Sequence, residues 1–281
     1  MLRDKLTARM RESGGQADPQ RLAEEVLGIK GAPPALAKKL IAQALVLGDR
    51  KESWQLAGER ICRDAPATPG VYILRDAGGA ALYVGKAVNI RRRLRAHFAE
   101  RRWRALPAAL SRVDAAEWME VGSELEALLR EAMLIAELEP AVNVQTGPPA
   151  LSGREIPPAL VRDTIVVLPS IEADSVELIA ARADGPAMIQ RTRRDGSDLA
   201  VHAARLKRFF KVQSSDFRVQ NSTERFLAPV VFSWLAFRGQ TASRVDPHDA
   251  ATSKALAGRL AALLRDERLF HERLEQRGCR V

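Results

Sequence analysis

Two short apolar runs separated by one turn constrain this chain more than any other feature. Gly70-Val71-Tyr72-Ile73-Leu74 and Ala81-Leu82-Tyr83-Val84-Gly85 carry the β-branched and aromatic residues of strands, and Asp76-Ala77-Gly78-Gly79 between them has the composition of a hairpin turn. A helix is expected from residue 89 to about 98, with Ile90, Leu94 and Phe98 on one face. Ala116-Glu117-Trp118-Met119-Glu120-Val121 reads as a third strand. Residues 124–138 read as a helix whose apolar stripe is Leu125, Leu128, Leu129, Ala132 and Ile135. The hairpin holds both tyrosines of the 281 residues, which makes their pairing there hard to assign to chance.

The flanks differ in character. Residues 1–62 read as a helical domain. Asp18-Pro19 opens one helix, Gly31-Ala32-Pro33-Pro34 turns the chain, and Leu36, Leu40, Ile41, Ala44 and Leu45 form the face of a second. Gly48-Asp49 is expected to stop that helix and Glu52-Ser53-Trp54-Gln55-Leu56 to form a short strand, which together resemble a winged helix-turn-helix displaying Lys38 and Lys39. A Pro/Gly stretch around residues 147–158 separates a third segment, 158–281, that mixes strands and helices. Strands are expected at 164–168, 176–180, around Met188 and around 230–237, with helices near 203–210 and from about 250. The fold class is therefore α/β (α+β): a central domain, 66–147, with a small three-stranded antiparallel sheet between helices, and a domain on either side.

Charge narrows the partner. The net charge is +9, and nine Lys or Arg fall between Lys86 and Arg112 with Glu100 as the only acid, a cluster suited to a polyanion such as DNA. A signal peptide and an apolar membrane run are not seen, and the two cysteines, Cys62 and Cys279, cannot make a four-cysteine metal site, so a reduced, cytoplasmic setting is expected. His202, His248 and His271 lack ligand-like spacing and are read as surface or core residues.

Gly70-Val71-Tyr72, ten residues, then Tyr83-Val84-Gly85-Lys86 resembles the signature of the GIY-YIG nucleases. Lys86-Ala87-Val88-Asn89-Ile90-Arg91-Arg92-Arg93-Leu94, Glu126-Ala127-Leu128-Leu129-Arg130-Glu131-Ala132 and Pro140-Ala141-Val142-Asn143 extend the likeness to the N-terminal incision domain of UvrC and its short homologue Cho. The stretch covers just over a quarter of the chain. The resemblance implies a DNA-repair endonuclease that makes a single nick with one Mg²⁺ or Mn²⁺ held by Glu131. It also implies Tyr72, Tyr83, Lys86, Arg93, Glu131 and Asn143 as the catalytic set. Tyr83 would be the general base, a role in which a phenol of ordinary pKa near ~10 needs tuning by its neighbours. Tyr72 would orient the water or its partner tyrosine, and Arg93 would fork onto the phosphate. Asn143 would tie the chain to the sheet or contact a phosphate. Arg91, Arg92, Arg95, His97, Arg101, Arg102 and Arg104 are expected to meet the nucleic-acid backbone, and the flanking domains to recruit repair proteins.

The residues also separate the acids. Ser123 and Glu126 have the spacing of a capping box, whereas Glu131 has no basic residue at i±3 or i±4 and leans toward the inward stripe, as a ligand would. A buried pair with a distant Arg is the rival for Glu131. Against the repair reading stand a sequence-specific restriction or mobile-element nuclease and an inactive DNA-binding scaffold. The second nuclease domain and the helix-hairpin-helix repeats of a full UvrC are not found in this sequence, so one incision rather than two is expected.

Overall fold

The computed structural model describes residues 2–14, 17–99, 106–143, 155–211 and 227–266. Strands β1 (Gly70–Asp76) and β2 (Ala81–Ala87) form where the alternation predicts them. Asp76 holds their turn, its Oδ1 accepting the N–H groups of Gly78 and Ala80, each at 3.0 Å. Gly79 sits at φ 83°, a conformation in which a side chain is strained. β3 (Val113–Glu120) pairs antiparallel with β1, giving the order β2-β1-β3 and leaving β2 at an edge.

Capped helices clamp both faces of this sheet. α1 (Leu2–Glu12) and α2 (Pro19–Leu27) precede α3 (Pro34–Asp64), and α4 (Ile90–His97) follows the hairpin, its N-cap Asn89 accepting the Arg92 N–H at 2.8 Å. Tyr72, Leu74 and Leu82 pack with Ala57 and Ile61 of α3 and with Ile90 and Leu94 of α4. α5 (Glu124–Leu138) lies on the other face, where Ala127, Leu134, Ile135 and Leu138 meet Val71, Ile73 and Val84.

The expected stripe on α5 is mostly turned away from the hairpin. Leu125, Leu128, Leu129 and Ala132 pack into the C-terminal part of the chain instead. One helix thus serves two cores, and each buried leucine contributes about 1.5–3 kcal/mol to the second. The two parts approach closely: a Cβ on Gly122 would lie 2.2 Å from the carbonyl carbon of Ser170. The start of α5 is capped by Ser123, whose hydroxyl accepts the Glu126 N–H at 3.1 Å. Glu126 reaches back one residue further than a capping box requires, to the N–H of Gly122 at 3.1 Å.

The C-terminal sheet is antiparallel, in the order β6 (Ala187–Arg193), β5 (Ser175–Ala181), β4 (Thr164–Pro169), β7 (Arg244–Val245). α6 (Leu199–Lys211) and α8 (Ser253–Leu264) cover one face, and α5 with α7 (Ala228–Phe237) covers the other. Residues 230–237, expected as a strand, are therefore helix. α7 is buried from Val230 through Ala236, and a helix apolar on every side loses the 3.6-residue period that would reveal it.

The winged-helix expectation fails. Gly48-Asp49 does not end the second helix and Glu52–Leu56 is not a strand, because α3 runs unbroken for 31 residues. A glycine in a helix costs about 1 kcal/mol, and contacts from α1 offset it. Arg3 lies where a Gly48 side chain would go, and it pairs with Asp49 at 2.8 Å and with Glu52. Further along, Trp54 is 1% exposed and packs on Phe98, ring centroids 5.3 Å apart. The boundary expected at residue 62 falls inside this helix. Among the described residues no helix is long and apolar enough to cross a membrane.

Candidate active site

The sheet register decides which side chains meet. Tyr72 on β1 lies opposite Gly85 on β2, and Leu74 lies opposite Tyr83, so both phenols project from one face. Their ring centroids are 6.0 Å apart. Gly85 makes this possible, since a Cβ there would come within 2.6 Å of Tyr83 Cε1 and 2.8 Å of Tyr72 Oη. Gly70 is required for a different reason: its Cβ would lie 2.3 Å from the Met119 carbonyl oxygen and 2.6 Å from Ile90 Cδ1. Gly85→Ala is expected to destabilise the fold by about 1–3 kcal/mol through overpacking, measured as a lower urea midpoint with an unchanged slope.

His97 completes the cluster. Its ring meets both phenols edge-on, and its Nε2 is 2.7 Å from Tyr72 Oη. The sequence offers it as a phosphate contact; α4 brings it beside the phenols because it lies two turns beyond the buried Ile90. Arg93 is exposed on α4, and the Tyr72 hydroxyl beside its guanidinium favours the charged form. Burial first, then the neighbouring Tyr83, pushes the Tyr72 phenol well above its usual range, against the opposing pull of Arg93. Tyr72 therefore stays protonated near neutrality, which suits an orienting hydroxyl and not a base.

Across β2 the next side chain faces α5. Lys86 donates twice to Glu131, through its backbone N–H to Oε1 at 3.1 Å and through Nζ to Oε2 at 2.9 Å. The partner of Glu131 is thus a lysine from another element, where a distant arginine was the rival considered. Its side chain is 15% exposed, leaving one edge open to solvent. A carboxylate has about four lone-pair sites, of which Lys86 takes two, so Glu131 retains capacity for a hard cation. No group of three His, Cys, Asp or Glu among the described residues is arranged to hold a metal ion. The contacts through Gly85 and Lys86, with standard backbone bonds, keep Tyr72 Oη within about 10 Å of the Glu131 carboxylate.

Other expected residues fall into two groups. Asn143 binds the open edge of the sheet: its Oδ1 accepts the Val84 N–H and its Nδ2 donates to the Val84 carbonyl, each at 2.8 Å. Of the two expectations for it, the structure shows the tie to the sheet. Arg91 braces α4, with its Nε donating to the Ala65 carbonyl at 2.6 Å and its own N–H to the Pro66 carbonyl. Arg92 and Arg95 are exposed on α4. Arg101, Arg102 and Arg104, like His271 and Cys279, lie outside the described residues.

Residues 68–144 match the family model described as the UvrC-like GIY-YIG domain, a segment of just over a quarter of the chain. Over 81 residues it is 46% identical to UvrABC system protein C of Syntrophus aciditrophicus, covering 28% of this chain and 13% of that protein. Over 116 residues it is 40% identical to UvrABC system protein C of Bradyrhizobium diazoefficiens, covering 40% of this chain and 17% of that one. The chain thus matches under a fifth of the length of these relatives. Among solved structures it is similar to the N-terminal endonuclease domain of UvrC from Thermotoga maritima, bound to its catalytic divalent cation, magnesium. That likeness has 31% identity and a TM-score of 0.27, covering 31% of this chain and 96% of that one.

Proposed function

We propose that this chain is a damage- or structure-directed DNA endonuclease of repair, which hydrolyses one phosphodiester bond with the help of one divalent ion. The observation that supports this most is the convergence at the Gly85–Lys86 edge. The two phenols with His97 and Arg93 lie on one side, and the Lys86–Glu131 pair lies on the other.

The residues divide the work. Glu131 would hold Mg²⁺ or Mn²⁺, which when bound supplies positive charge to the phosphoryl oxygens. Tyr83, less buried than Tyr72, accepts the proton of the attacking water. Tyr72 and His97 fix its position, because Tyr72 remains a neutral hydroxyl bonded to His97. Arg93 and Lys86 place fixed positive charge around the phosphate, which counters the charge that builds as the phosphorus–oxygen bond breaks. Asn143 acts at one remove by holding the edge strand that carries Tyr83 and Lys86.

The exposed arginines of α4 would bind the backbone. Arg92→Ala is expected to weaken DNA binding and flatten its salt dependence by about one unit of slope. Arg91→Ala is expected instead to lower the melting temperature, since it unlatches α4 from residue 65. Titrations against salt beside thermal melts check both. DNA is the proposed substrate, and UvrABC-type repair proteins are proposed partners for the flanking regions. Incubating the chain with supercoiled plasmid and Mn²⁺, with and without EDTA, tests the reading. Nicked circles formed only with the metal support it, and tight DNA binding without cleavage under Mg²⁺ or Mn²⁺ overturns it in favour of a scaffold.

A further inference from the structure

We infer that the cleft between α6 and the start of α8 is a second nucleic-acid contact, gripping the phosphodiester backbone of DNA away from the cut. This rests on the nuclease reading above. α6 carries Arg205, Lys207, Arg208 and Lys211 and no acid. Arg208 and Lys211 are exposed, and neither has an ion-pair partner among the described residues. With Lys207 they line a cleft of about 510 Å³, closed opposite by Thr252 and Ser253 and floored by Ala204.

The cleft is built as well as charged. Lys207 is fixed by donating to the carbonyls of Pro247 at 3.0 Å and Ala250 at 2.6 Å, so its charge stands at the wall without a carboxylate to cancel it. Asp249, on the turn leading into α8, is engaged by Arg259 at 2.9 Å. The first turn of the 12-residue α8, capped by Thr252, adds the positive end of its dipole. A merely solvated helix face usually mixes both signs of charge, and α6 does not. Arg208 and Lys211 lie one turn apart, about 5 Å along the axis, which suits a row of phosphates better than one free phosphate. The cleft is on the face of the C-terminal sheet away from α5, two packed layers or about 20 Å from it. DNA reaching both must extend or bend across the domain.

The test measures binding of a fluorescent 40-base-pair duplex by the full chain over a salt series, with EDTA present to prevent cleavage. Arg208→Ala combined with Lys211→Ala is expected to weaken binding about tenfold near physiological salt and to lower the salt slope by about two. A charge-matched control, Arg162→Ala with Arg244→Ala, removes two exposed cations elsewhere on the same domain and is expected to leave binding near the wild-type value. An unchanged affinity in the first variant, or an equal loss in the control, overturns the inference. So does wild-type binding to phosphatidylserine vesicles that the first variant loses while keeping its DNA affinity. Competition by millimolar inorganic phosphate alone, at fixed ionic strength, would likewise assign the cleft to a free anion. Absence of metal-dependent nicking, by contrast, sinks the nuclease reading independently of this binding result.

Discussion

Glu131→Ala is expected to cripple metal-dependent nicking, with a loss of about a hundredfold to a thousandfold in turnover, of the size seen when a principal electrostatic stabiliser is removed. The same change frees Lys86, which loses both of its contacts to the carboxylate. A fall in activity could therefore come from a displaced lysine. Glu131→Gln separates the causes, because it can still accept from the Lys86 N–H while no longer offering an anionic ligand. Both variants dead in Mg²⁺ and Mn²⁺, with DNA affinity retained, is the expected result on plasmid. Glu131→Gln with near wild-type turnover would show that the carboxylate is architectural.

Tyr83→Phe is expected to lower turnover by about a hundredfold to ten-thousandfold, the usual range for losing a general acid–base group, while DNA affinity changes little. Tyr72→Phe should be milder and should act through His97, whose bond to the Tyr72 hydroxyl it removes. The pH response also has a definite sign. The Tyr72 phenol is raised by burial, so its contribution to folding is complete below the ordinary tyrosine range and is lost only as pH rises beyond it. Stability should fall in strongly alkaline solution, and more steeply in wild type than in Tyr72→Phe. Single-turnover rates for the two variants, with melts across alkaline pH, check these statements.

The hairpin, its turn, α4 and α5 were legible because each carries its own local signal: alternation, Asp and Gly at the turn, Asn89 and Ser123 at the caps. For the candidate site, the sequence shows which residues the hairpin brings together more readily than their geometry. Tyr72, Tyr83 and Lys86 lie within one hairpin, and the alternation of a strand suffices to put Tyr83 and Gly85 on one face and Lys86 on the other. His97 was read as a phosphate contact or a helix C-terminal charge, and its spacing of seven from the buried Ile90 is what brings it beside the two phenols. Arg91 was indistinguishable from its neighbours, since nothing in an Arg-Arg-Arg run says which side chain meets the carbonyl of residue 65. Helices α3 and α7 misled for opposite reasons. Gly48 looked like a stop but is filled by Arg3 from a distant element, and α7 is buried all round, so neither fact is written locally.

The double allegiance of α5 has a practical outcome for anyone dividing this chain. A fragment ending near residue 143 would leave Leu125, Leu128 and Leu129 facing water, a greasy strip on the very helix that presents Glu131. Such a fragment is expected to clump unless those leucines are exchanged for polar residues. In this chain the segment built on β1–β3 is not an interchangeable cassette but one half of a jointly folded pair.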